Sequence, residues 1–320
     1  MTNGDESSSN GKWERELVTR LATAALKEQR RARLWGIFFK LLTFAYITLI
    51  LIMAVDWKGR AELAGGKKHT AMVELSGIIA PGSEASAEKI MPALQAAFKD
   101  KNTQGVILRI NSPGGSPVQS QLIYDEMRRL RKKYPDIPLY AVVEDICASG
   151  GYFVAVGADR IYVGKASIVG SIGVLMNGFG FTGLMNKLGV ERRLITAGEN
   201  KGMLDPFSPV DKKDVAHAKE LIHEVHEQFI SVVREGRGKR LKEGPDTFSG
   251  LIWTGQKSVD LGIADGIGSL ESVARDVVKA EDIVDYTQKD NVAEKLAKRF
   301  GMGAASAIMD FAVRAFPSLN

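Results

Sequence analysis

The chain has a single cysteine, Cys147, so it can form no internal disulfide and build no cysteine-rich zinc or iron–sulfur centre. It has four histidines, and His217, His223 and His226 fall on one predicted helix. Only the last two stand three residues apart and no HExxH pattern includes them, so neither a metal site nor a cofactor is expected. Proline is sparse, at 10, and the 33 glycines follow no G-X-Y period, which excludes a collagenous or low-complexity chain. A basic stripe with interleaved aromatics is missing as well. Residues 1–40 carry eight Lys/Arg against five Asp/Glu, and the rest of the chain carries 35 against 33, a distribution that argues against a nucleic-acid partner.

What the chain does have is one long apolar run. It covers residues 34–55, is interrupted only by Lys40, and is bracketed by Trp35 and Trp57. About 20 apolar residues cross ~30 Å of hydrocarbon. A lysine a turn and a half inside can snorkel to the interface, and tryptophans suit both membrane faces. The basic cluster Lys27, Arg30, Arg31 and Arg33 lies just before the run. The expectation is a retained single-pass anchor over 34–55, with the N-terminus in the cytoplasm and the remainder outside the inner membrane. A cleavable signal peptide fits less well, because more than 30 polar residues come first and no small-x-small site follows. The expected organisation is a cytoplasmic segment at 1–33 (polar and irregular at 1–11, a short amphipathic helix at 12–33), the anchor, a linker at 56–68, one large domain at 69–288 and a tail at 289–320.

After the linker two periodicities alternate. Residues 71–79, 105–111, 139–144 and 160–163 read as strands. Residues 86–99, with Ser86 as N-cap, 117–133, opened by Pro117, and 211–237 read as helices. Alternation of this kind implies an α/β fold with a largely parallel sheet, whose sites gather in loops at the strand carboxyl ends.

Two such loops are rich in glycine: Asn111-Ser112-Pro113-Gly114-Gly115-Ser116, and Cys147-Ala148-Ser149-Gly150-Gly151-Tyr152. Paired glycines let backbone N–H groups approach a ligand closely, which an oxyanion hole requires. A serine on such a turn presents its hydroxyl outward, although Cys147 departs from the GxSxG pattern. With no histidine suitably placed, a lysine whose pKa is lowered by burial is the alternative base. The SxxK spacings at Ser9 and Ser86 read as chance. Lys201, in Glu199-Asn200-Lys201-Gly202, follows a strand-like 193–196 and precedes an apolar segment. Judged on its neighbours alone, Lys201 reads better as a surface lysine than as a base.

Taken in order, the segments AMVELSGII, VILRINSPGG, ASGGYFVA, ADRIYV, SIVGSIGV, ENKGMLDPF and WTGQKSVDLGIADGIG make the chain resemble the bacterial signal peptide peptidase SppA family in its short, single-domain form. The likeness covers roughly residues 70–286. It implies a Clp protease/crotonase-like fold of repeated ββα units around a parallel sheet, preceded by one transmembrane helix. It further implies a serine–lysine peptidase in which Ser149 is the nucleophile and Lys201 the general base. Gly114 and Gly150 would be oxyanion-hole donors and Ser171 a supporting residue near the lysine. Serine and lysine of one site would come from adjacent protomers of a homo-oligomer, and the substrates would be remnant signal peptides and other short apolar peptides. Two other readings are an acyl-CoA enzyme of the crotonase type and a membrane-tethered assembly protein with a decayed site.

Overall fold

The computed structural model describes residues 6–54 and 66–288 and divides the chain into two units. The first contains a single helix, α1 (Glu6–Ala54). The short helix and the anchor expected as separate pieces are therefore continuous, and residues 6–11, expected to be irregular, lie in its first turns. Its apolar stretch is Leu26–Leu49, 24 residues with none of that surface buried. At 1.5 Å per residue this spans ~36 Å, enough for the hydrocarbon core. Residues 56–65 of the expected linker and all of the expected tail, 289–320, lie outside the described residues.

The second unit holds an eight-stranded sheet. Its elements are β1 (His69–Ser76), α2 (Ala87–Lys99), β2 (Thr103–Ser112), α3 (Pro117–Lys133), β3 (Leu139–Ala148), α4 (Gly150–Ala155), β4 (Arg160–Val163) and β5 (Ile168–Gly170). There follow α5 (Thr182–Leu188), α6 (Lys212–Arg237), β6 (Ile252–Thr254), α7 (Gly255–Asp260), β7 (Gly266–Ile267), α8 (Leu270–Ser272) with a π-helical turn, and β8 (Ile283–Asp285). The strand order is β6-β5-β3-β2-β1-β8, parallel except for the β5–β6 pair. β3 is shared along its length: residues 140–143 pair with β4 and residues 146–148 with β5. That divergence opens the sheet at the carboxyl end of β3, where Ser149 follows.

The strands read as apolar runs because both sheet faces are covered. On one face Val73, Leu75, Leu108, Ile110, Ala141 and Val143 pack against Ile90, Leu94 and Phe98 of α2, Ile123 and Met127 of α3, and Phe229 and Val233 of α6. On the other, Ile107 and Val142 pack against Val273 and Ala274. α3 starts as expected, with Pro117 in its first turn and the Ser116 side chain accepting the Gln119 N–H. Ser86 precedes α2 without capping it; the Ala87 N–H goes to Gln119 Oε1 at 2.9 Å instead. Residues 193–196 form no strand.

Candidate active site

The SPGG loop and the Ser149 turn meet at the carboxyl ends of β2 and β3. Ser149 sits between β3 and α4 with φ 51° and ψ −123°, a sparsely populated conformation for a residue with a side chain. Backbone bonds hold it there: its N–H donates to Gly170 O (2.8 Å) and its carbonyl accepts the Phe153 N–H (2.9 Å). The turn therefore leans on the end of β5. The next residue, Ser171, also has positive φ (53°), and its N–H donates to Leu251 O at 2.7 Å.

Gly114 packs directly under this turn. A Cβ there would lie 2.6 Å from Gly150 N and 2.8 Å from Ser149 Cβ, so only glycine lets the loops approach this closely. Its N–H is not directed at the groove, however, because it donates to Ser112 Oγ at 3.1 Å. The expectation that Gly114 supplies an oxyanion donor is corrected on that ground. The adjacent N–H belongs to Gly115. Ile79 N–H donates to Gly114 O (2.9 Å) and Ser116 N–H to Ile79 O (2.7 Å). In a trans peptide the C=O and N–H point in opposite directions, so with the Gly114 carbonyl turned to Ile79, the Gly115 N–H faces away from it. Among the described residues no acceptor takes that N–H or the N–H of Gly150. Sequence reasoning missed Gly115 because the pairing with Ile79 that orients it is a long-range contact.

Ser149, Gly150, Gly115 and Ser171 all line one groove of about 720 Å³. Its walls come from Val118 and Leu122 of α3, Phe153 of α4, Val174 and Leu175 after β5, and Val225 and Phe229 of α6. Among the described residues no charged or imidazole side chain lines it. Such a groove accepts an extended apolar chain and offers N–H donors to a carbonyl, but holds no base of its own.

Lys201 is elsewhere. It is exposed in a turn, its N–H donating to Gly198 O at 3.1 Å, and is absent from the groove lining. A single chain thus brings together Ser149, Gly150, Ser171 and the SPGG loop and leaves Lys201 apart. Cys147, two residues before Ser149, is fully buried, and burial alone pushes its thiol far above the ordinary range, so it is a packing residue. His226 Nε2 lies 3.2 Å from Ile172 O, His69 is hydrogen-bonded to Lys67 O and Tyr286, and neither side chain lines the groove.

Two family profiles match: Peptidase family S49 over residues 131–284 and Clp protease over residues 71–168. A Methanocaldococcus jannaschii protein with a protease name is 30% identical over 269 residues, covering 80% of this chain and 85% of its own length. The chain belongs to peptidase family S49. Its sheet accordingly has a Clp protease-like fold. An Enterococcus faecium protein named for signal peptide peptidase SppA is 29% identical over 234 residues, 71% of this chain and 67% of that relative. A Brucella abortus protein named Na(+)/H(+) antiporter NhaA is 48% identical over 182 residues, 57% of this chain. This chain spans only 25% of the length of that Brucella relative.

Proposed function

We propose that this peptidase is a membrane-anchored endopeptidase with a Ser149–Lys201 dyad, acting on remnant signal peptides and other short apolar peptides. The observation that carries the reading is the serine held at positive φ in an apolar groove beside two unengaged backbone N–H groups. Neutral Lys201 takes the Ser149 proton as Oγ attacks the scissile carbonyl. The N–H groups of Gly150 and Gly115 receive the developing oxyanion, each contributing ~2.7–4 kcal/mol by comparison with known holes. The lysinium then protonates the leaving amine, and water repeats the sequence on the acyl-enzyme.

Lys201 is proposed to reach the serine of a second copy. The segment carrying it exposes Leu175, Phe179, Leu184, Leu188, Ile195 and Val210, and α5 within it buries nothing. Apolar surface on this scale wants a partner, and a neighbouring protomer supplies one while completing the groove. Ser171, on the groove wall, would steady the incoming ammonium. The basic cluster before the apolar stretch of α1 favours a cytoplasmic N-terminus, with the catalytic domain on the opposite side of the inner membrane. An acyl-CoA substrate is disfavoured because its phosphates want cationic partners and the groove has none.

The test is complementation. Ser149→Ala and Lys201→Ala are each expected to abolish cleavage of an apolar reporter peptide, and coexpression of the two variants should restore part of it. Activity in Ser149→Ala alone would remove the nucleophile assignment. Two inactive variants that stay inactive in a demonstrated mixed oligomer would remove the shared site.

A further inference from the structure

We propose that Ser112 is the positioning residue of the oxyanion hole, an inference that rests on the assignment of Ser149 as nucleophile. Its side chain is fully buried at the end of β2, beside Cys147 in the sheet register. The hydroxyl has one proton and commits it to Gly77 O at 2.6 Å. What remains are lone pairs, and one accepts the Gly114 N–H at 3.1 Å. The direction of both bonds is therefore fixed.

This matters because the loop has little else to hold it. Pro113 has no N–H to donate, and the two glycines that follow have φ of 98° and 152°, where the backbone is least restrained. Ile79 orients the peptide between Gly114 and Gly115 through its bond to Gly114 O, and the following N–H through Ser116. Among the described residues, the only hydrogen bond that orients the peptide between Pro113 and Gly114 is the one to Ser112 Oγ. If that plane rotates, the Gly114 N–H competes for the space under the Ser149 turn, where Gly150 N is the nearest neighbour of a Gly114 substituent. Holding it inward leaves Gly115 as the loop's donor to the groove. The Gly77 carbonyl belongs to an exposed turn following β1, so Ser112 also couples that turn to the hole.

The experiment compares full-length wild type, Ser112→Ala and Ser112→Cys in detergent, with Ser149→Ala as the blank. Three quantities are measured: kcat and KM on an apolar reporter peptide, the affinity of a matching peptide boronic acid, which forms a tetrahedral adduct with a serine nucleophile, and the melting temperature. Ser112→Ala is expected to lose about 100-fold in kcat, the scale of removing one oxyanion donor, with KM within about twofold. Boronate affinity should fall in the same proportion as kcat/KM, and Ser112→Cys, with its weak S–H donor, should recover part of both. A kcat within twofold of wild type, or a loss confined to KM, overturns the role of Ser112. So does a boronate affinity unchanged while kcat falls. If Ser112→Ala does not fold, the same criteria apply to Ser112→Cys. If Ser149→Ala itself retains activity, the underlying assignment fails first, and the two failures are distinguishable.

Discussion

Arg237 closes α6 with a guanidinium that is 1% exposed, facing an Asp265 carboxylate that is 9% exposed. The pair is bidentate, Nη1 donating to Oδ2 at 2.7 Å and Nη2 to Oδ1 at 2.9 Å, and Nε donates to Gly262 O at 2.9 Å. Asp265 also accepts the Ile161 N–H (2.7 Å) and is touched by Arg240, while buried Tyr152, three residues beyond Ser149, donates to Ile263 O. One network thus ties α6, β4, the segment before β7 and α4. Removing one partner of such a buried pair strands the other, at about 3–5 kcal/mol. For a domain of this size that is a fall in melting temperature of ~6–20 °C. Arg237→Met keeps the volume of the stem and is the cleanest perturbation. Asp265→Asn completes a double-mutant cycle, with an expected coupling of ~2–3 kcal/mol. The pH dependence follows from the carboxyl. Burial pushes its pKa up, but the Arg237 hydrogen bonds and charge, the Ile161 N–H and Arg240 outweigh this and hold it below the usual range. A depressed carboxyl contributes stability above its unfolded pKa of about 3.9, and that contribution is lost as pH falls through the folded value. The penalty of Arg237→Met should therefore shrink in acid, where a protonated Asp265 no longer leaves a stranded charge. Thermal unfolding of the full chain in detergent, with hydrogen exchange at Ile161 and Tyr152 as the local readout, measures both effects. A coupling below ~0.5 kcal/mol, or a penalty equal at pH 7 and in acid, would refute the reasoning.

Gly115→Ala should cost more activity than stability: a Cβ there meets Ile79 O at 2.1 Å, so the SPGG loop must move, and turnover of the reporter should drop at least ~100-fold in a protein that remains folded. Wild-type turnover in a folded Gly115→Ala protein would show that the Gly115 N–H is not used. At the far end of β1, Tyr286 Oη donates to Asp100 Oδ2 (2.7 Å) and lies 3.1 Å from His69 Nε2. Burial raises the Asp100 pKa, but this hydrogen bond, those from Asn102 and the His69 charge bring it below its ordinary value. Its contribution is therefore present above about pH 3.9 and disappears as pH falls through the folded pKa. Tyr286→Phe should speed exchange of the Tyr286 amide, which bonds Met72 O, and flatten the acid dependence of that exchange; an unchanged acid profile would count against the link.

The legible parts of the sequence were those whose causes are local or continuous. The runs at 71–79, 105–111 and 139–144 read as strands because both sheet faces are covered, and α3 and α6 were bounded by Pro117 and by Asp211, whose Oδ1 accepts the Lys213 N–H. The Ser149 turn was visible as a glycine-flanked serine after a strand. The choice between Gly114 and Gly115 was not, because two adjacent glycines look alike until Ile79, some 35 positions earlier in the chain, binds the carbonyl between them and Ser112 takes the other N–H. The strand-like 193–196 misled for a different reason. Its apolar residues, Leu194 at 42% and Ile195 at 94% exposure, are not buried in this chain at all, so their pattern records no core that the chain contains. The same segment leads to Lys201. A lysine beside exposed apolar residues reads as ordinary surface in one copy, and neither the sequence nor the single chain brings Lys201 to Ser149; in the proposed shared site a second copy would cover it, and the decisive experiment is one that mixes two inactive copies.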